Sequence, residues 1–122
     1  MMLALDHVQI AIPANSEVTA RDFYGRILGL SEHDKPIELF GRGGCWFDLG
    51  FHQLHLGVDA DFRPAKKAHI ALTTDALDTL RVRIENAGFP VHGDVPINGR
   101  HRFFTEDPFG NRLEILQMDF IG

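Results

Sequence analysis

The feature that most restricts how this chain can fold is an internal repeat. An alternating apolar strand, an amphipathic helix ending in glycine and then three strands occur in that order, twice. In the first half Leu5-Asp6-His7-Val8-Gln9-Ile10-Ala11-Ile12 alternates, Leu5 excepted, and Pro13 closes it; a helix capped by Asn15 or Ser16 runs to about Leu28, and Gly29 stops it. Ser31 to Pro36 adds a short strand, and Ile37 to Gly44 reads as a loop or irregular strand. Cys45 to Leu49 is then joined by the turn Gly50-Phe51-His52 to the strand Gln53 to Val58.

The second half repeats the order. Ala68 to Thr73 is a strand, Asp75 caps a helix with Leu77, Leu80, Ile84 and Ala87 at helical spacing, and Gly88 ends it. Phe89 to Val95 is an edge strand interrupted by Pro90, and Arg102 to Glu106 and Arg112 to Gln117 follow. The polar connector Asp59 to Lys67 separates the halves. The expectation is an α+β chain of two tandem βαβββ modules, residues 1–62 and 63–122, together one domain.

Bulk properties remove several functions. A net charge of −5 and a pI of about 5.7, with scattered Lys and Arg, give no footprint for nucleic acid. No apolar run reaches the ~20 residues a bilayer requires, and the N-terminus lacks the basic start and apolar core of a signal peptide, so no membrane partner and a cytoplasmic location are expected. The single Cys45 has no internal disulfide partner and, beside Trp46 and Phe47, reads as a small buried hydrophobe.

Strand parity then singles out polar residues. His7 and Gln9 share the face opposite Val8, Ile10 and Ile12; His55 lies opposite Leu54 and Leu56; His69 lies opposite Ile70 and Leu72. The turn Asp107-Pro108-Phe109-Gly110-Asn111 feeds a strand in which Glu114 is opposite Leu113 and Ile115. Gln53-Leu54-His55-Leu56 and Arg112-Leu113-Glu114-Ile115 have the same pattern at equivalent repeat positions. Four coordinating side chains of one parity, His7, His55, His69 and Glu114, point to a metal site, and imidazole with carboxylate suits Zn²⁺, Ni²⁺, Co²⁺, Mn²⁺ or Fe²⁺. Arg42, Arg100, His101 and Arg102 are candidates for holding an anionic substrate, and Gln9, Trp46 and Phe104 for lining its site. His33, His52 and His92 read as surface residues.

Asp6-His7-Val8, Phe23-Tyr24, Leu28-Gly29-Leu30, the strand with His69 and Asp107-Pro108-Phe109-Gly110-Asn111-Arg112-Leu113-Glu114 together resemble the vicinal oxygen chelate superfamily, the glyoxalase, bleomycin-resistance and dioxygenase group. The resemblance spans essentially the whole chain. It implies an open, cup-shaped mixed sheet around one divalent metal per site, held at the positions of His7, His55, His69 and Glu114, and a homodimer. Glyoxalase I relatives often carry Glu or Gln where this chain has His55.

The resemblance also implies chemistry. A metal with open positions stabilises an enediolate or alkoxide on a small oxygenated substrate or thiol adduct, with Glu114 as the catalytic proton carrier. The leading expectation is a divalent-metal-dependent lyase or isomerase of the glyoxalase I type. The alternatives are an extradiol-type dioxygenase or fosfomycin-type thiol transferase on His7, His69 and Glu114, and a non-catalytic drug-binding resistance protein.

Overall fold

The computed structural model describes residues 1–119. The expected second module runs to residue 122, so its last positions lie outside the described residues. By its contacts the chain divides into two compact units, one from Met1 to Arg63 and one beginning at Pro64.

The first unit contains β1 (His7–Ile12), α1 (Glu17–Ala20), a π-helical stretch (Arg21–Ile27), β2 (Glu32–His33), a 3-10 segment (Ile37–Arg42), β3 (Cys45–Leu49) and β4 (His52–Val58). Its sheet has the order β1-β4-β3-β2. The helical crossover carries the chain back before it pairs, so β1 and β4 run parallel, whereas the short connections make β3 antiparallel to β4 and to β2. The second unit repeats this with β5 (Ile70–Thr74), α2 (Leu77–Asn86), β6 (Val91–Gly93), β7 (Arg102–Glu106) and β8 (Arg112–Gln117). Its order is β5-β8-β7-β6, and only β5 and β8 are parallel. The chain therefore forms the α+β arrangement of two βαβββ modules with mixed four-stranded sheets.

The alternation of each strand sorts its side chains. In the first unit Ile12, Phe47, Leu54 and Leu56 are buried together with Phe23, Tyr24 and Ile27 of the helical segment, and the Tyr24 and Phe47 ring centroids are 6.1 Å apart. In the second, Phe103, Leu113 and Ile115 are buried with Leu77 and Ile84 of α2. Each such side chain contributes about 1.5 to 3 kcal/mol on burial, so this face fixes the register. The opposite face is left to the polar residues of the repeat.

Local details differ from the expectations. The first helix is α-helical for only four residues and then widens, with the Leu28 N–H donating to the Phe23 carbonyl at 2.9 Å. Phe23, Tyr24 and Ile27 of this stretch are buried with Ala20 of α1. Neither helix has the expected side-chain cap. Ser16 Oγ donates back to the Pro13 carbonyl at 2.6 Å, and α2 starts from Ala76, whose N–H donates to Thr74 Oγ1 at 3.1 Å rather than to Asp75. Ile37 to Arg42 is helical rather than strand-like, and His69 lies one residue before β5. Among the described residues, no helix is long and apolar enough to cross a membrane.

Candidate functional site

In the first unit the polar face carries a stack of three rings. Trp46 and His55 are directly paired across β3 and β4, and their rings lie 3.8 Å apart with a 3° interplanar angle. His7, on the far side of His55, stacks on it at 4.1 Å and 19°. His55 is buried, and its Nε2 lies 2.9 Å from Gln53 Oε1. Burial, and then the charge of His7, lower the His55 pKa, so this imidazole is neutral at physiological pH. A neutral ring whose Nε2–H is given to Gln53 keeps its lone pair on Nδ1.

His7 is oriented by its neighbour in sequence. Its Nδ1 lies 2.9 Å from Asp6 Oδ2, and that hydrogen bond, followed by the charge of His7, holds the Asp6 carboxyl below its ordinary pKa. A carboxylate on Nδ1 places the proton there and turns the Nε2 lone pair outward, as the histidine ligands of metal sites require.

The second unit supplies a second pair. His69 Nε2 and Glu114 Oε1 are 2.9 Å apart, and His69 Nδ1 faces the Lys67 carbonyl at 3.0 Å. The carbonyl is only an acceptor, so Nδ1 carries a hydrogen and Nε2 is the atom offered to Glu114 or to a metal. Glu114 is buried, unlike an ordinary strand carboxylate, and its Oε2 accepts from Arg102 Nη1 at 3.3 Å.

The His69 to Glu114 separation of 2.9 Å is that of a hydrogen bond between the two side chains. Among the described residues no group of three or more His, Cys, Asp or Glu stands together to hold a metal ion.

The other candidates divide between the units. Gln9, Arg42 and Trp46 line one cavity of about 210 Å³ in the first unit, together with Gly57. Gly57 is what makes room for the Gln9 amide, because a Cβ there would lie 2.6 Å from Gln9 Nε2. In the second unit the guanidinium of Arg102 is already engaged: it meets Glu114, Asp94 Oδ2 at 3.3 Å and the Val95 carbonyl at 2.9 Å. Phe104 packs edge-on against His69 with centroids 5.4 Å apart. Arg100 and His101 lie in the turn before β7, where the Ile97 and Arg100 backbones bond each other.

A larger cavity in the first unit, about 600 Å³, includes none of the predicted site residues. Its cations are spent, Arg21 on Glu32 and Lys35 on the Gly43 carbonyl. Cys45 borders it, and burial pushes that thiol up to about 11, the value of an inert thiol.

Sequence reasoning missed the groups that orient the ligands. Asp6 was legible as an acid beside a histidine. Gln53 and Arg112 carried a parity signal, since they share a face with His55 and Glu114 two residues away. The Lys67 carbonyl carried none.

A sequence model described as the Glyoxalase/Bleomycin resistance protein/Dioxygenase superfamily matches residues 4–115. Among solved structures the chain is similar to a glyoxalase family protein from Bacillus anthracis, with 40% identity, 98% of each chain covered and a TM-score of 0.91. It is also similar in fold to lactoylglutathione lyase from Agrobacterium tumefaciens, with 22% identity, 98% of this chain and 96% of that one covered, and a TM-score of 0.69. A glyoxalase/dioxygenase from Nostoc punctiforme shows 24% identity over 91% of this chain and 89% of that one, with a TM-score of 0.72. A comparison with curated proteins gives no match.

Proposed function

Because the chain belongs to the Glyoxalase/Bleomycin resistance protein/Dioxygenase superfamily, we propose that it is a divalent-metal-dependent lyase or isomerase of the glyoxalase I type, working as a homodimer on a small oxygenated substrate or thiol adduct. The observation that carries this reading is the His69 and Glu114 pair, set 2.9 Å apart on a buried carboxylate. His7, His55, His69 and Glu114 hold the metal, which is Zn²⁺, Ni²⁺, Mn²⁺, Co²⁺ or Fe²⁺. When bound, the metal supplies Lewis acidity toward two adjacent substrate oxygens.

The chain's own residues do the rest. Asp6 and the Lys67 carbonyl keep the protons of His7 and His69 on Nδ1, which leaves Nε2 as the ligating atom of each ring, that of His69 facing Glu114 Oε1 at 2.9 Å. Glu114 Oε1 takes and returns the substrate proton, within reach of His69 Nε2. Arg102 Nη1 meets the other carboxylate oxygen at 3.3 Å and so fixes the orientation of the Glu114 side chain. Gln9, Arg42, Trp46 and Phe104 position the substrate, with Arg102 contributing through Glu114.

A second reading has one observation in its favour. His55 is sandwiched between two rings and its Nε2 is given to Gln53, so a set of His7, His69 and Glu114 alone is a two-histidine, one-carboxylate triad, the arrangement of non-haem iron oxygenases. Metal analysis of protein purified without a His-tag, then titration with Ni²⁺, Zn²⁺, Mn²⁺ and Fe²⁺, tests both. One equivalent bound per chain, abolished by His69→Ala and by Glu114→Ala, is expected. A protein indifferent to all four metals sinks both readings, and His55→Ala that binds metal as well as the parent selects the triad.

A further inference from the structure

The second unit has a cavity of about 410 Å³ lined by Lys66, His92, Asp94, Phe104, Glu106 and Arg112, and neither His69 nor Glu114 is part of its wall. Arg112 and Glu106 are directly opposed in the β7 and β8 register, where an ion pair between them would be ordinary. They do not form one. The Arg112 guanidinium lies instead on the Phe104 ring, 3.9 Å from its centroid. Neither Arg112 nor Lys66 has an ion-pair or side-chain hydrogen-bond partner among the described residues. Asp94, by contrast, is paired with Arg102 at 3.3 Å, a guanidinium it shares with Glu114.

Stacking holds a guanidinium by its face and leaves its in-plane N–H donors free, so Arg112 presents a fixed fork. Of the charged groups that line the cavity, Lys66 and Arg112 are the cations, and both are unpartnered among the described residues, whereas Asp94 is held by Arg102. We propose that this cavity binds the carboxylate of a small organic acid: Arg112 takes its two oxygens in parallel, Lys66 adds a point charge, and Phe104 walls the adjoining carbons. Inorganic phosphate fits less well, because its second charge meets Glu106 and Asp94.

Phe104 also meets His69 on its edge at 5.4 Å, so one ring borders both the cavity and the candidate metal ligands. A molecule anchored at Arg112 therefore extends over Phe104 toward His69 and Glu114. This makes the substrate a carboxylic acid with its oxygenated carbons beyond the ring, a step that rests on the metal-dependent reading; the carboxylate site itself does not.

The test uses the whole protein, freed of metal with EDTA, and benzoate as the probe, with benzamide and inorganic phosphate as the other arms. Calorimetric or NMR titration is expected to show benzoate binding that Arg112→Met weakens about tenfold or more and Arg112→Lys weakens less, because lysine keeps the charge and loses the fork. Lys66→Met weakens it by about threefold, and Arg81→Met on exposed α2 leaves it unchanged. Thermal melts establish that each variant is folded, and Lys66→Met decides the matter if Arg112→Met is not. Benzamide binding as tightly as benzoate, or both variants binding like the parent, overturns the proposal; phosphate binding more tightly overturns its carboxylate assignment. His69→Ala separates the two readings: benzoate binding that survives in a protein unable to bind metal supports the cavity while the metal reading is judged by its own titration.

Discussion

Asn111 holds Ala65: the Ala65 N–H donates to Asn111 Oδ1 at 2.9 Å across 46 positions of sequence. The next residue closes the contact, since the Arg112 N–H donates to the Ala65 carbonyl at 2.8 Å. Asn111 is itself fixed by Asp107, which accepts from its backbone N–H and its Nδ2, each at 2.9 Å. The Asp107-Pro108-Phe109-Gly110-Asn111 turn is thus a latch that fastens the connector beside β8. Two residues along that connector is Lys67, whose carbonyl orients His69 toward Glu114.

Asn111→Ala removes the acceptor of a backbone N–H and a donor to Asp107 in a buried site. The expected loss is about 2 to 3 kcal/mol of stability, read by urea unfolding. Metal affinity falls as well, because His69 loses its anchor, and Asn111→Asp recovers part of both by restoring the acceptor. Asn111→Ala with parental metal affinity argues against the latch.

Gly44 and Gly57 both stand beside β-strand neighbours but differ in what a methyl group would meet. At Gly44 the backbone is left-handed, with φ of +78°, and a Cβ collides with the Leu56 carbonyl oxygen, which cannot move without breaking the sheet. Gly44→Ala is expected to cost about 3 kcal/mol or more. At Gly57 the obstacle is the far end of the Gln9 side chain, and Gly57→Ala should cost under about 1 kcal/mol in a thermal melt while displacing the Gln9 amide from its cavity. Substrate affinity, measured once a substrate is in hand, is predicted to fall in Gly57→Ala and not in an exposed control such as Gly41→Ala, where a Cβ meets nothing.

Thr105 is buried on the core side of β7, and its Oγ1 is the one buried side-chain oxygen or nitrogen without a hydrogen-bond partner among the described residues. Valine keeps the shape and β-branching and removes the unpaired hydroxyl. Thr105→Val is expected to raise stability by about 1 kcal/mol, or a few degrees in Tm. A variant less stable than the parent would show that the hydroxyl is satisfied in solution.

Much of this architecture is written in short-range pattern. The alternation in Arg112-Leu113-Glu114-Ile115 already put Glu114 on the face away from the aliphatics, and β7 and β8 have the bounds their alternation predicts. The glycines that stop both helices take left-handed φ values, +79° at Gly29 and +90° at Gly88. Other features had no local signal. The π-helical stretch at Arg21 to Ile27 is one, and the absence of a side-chain cap on either helix is another: Ser16 Oγ turns back to the Pro13 carbonyl, and Thr74 rather than Asp75 meets the Ala76 N–H.

By itself, then, the sequence determined the two βαβββ modules, the buried face of each strand and the common parity of His7, His55, His69 and Glu114, because those follow from periods of two and 3.6 and from a repeat. Only the tertiary structure decided what each polar side chain meets. Strand pairing brings together residues far apart in the chain, His69 with Glu114 across 45 positions and Ala65 with Asn111 across 46. It also decides between chemically equivalent residues: Arg102 is consumed by Glu114 and Asp94, whereas Arg112 rests on Phe104 with its donors free. Periodicity fixes a direction, but a partner is chosen by distance, and distance is a property of the folded chain.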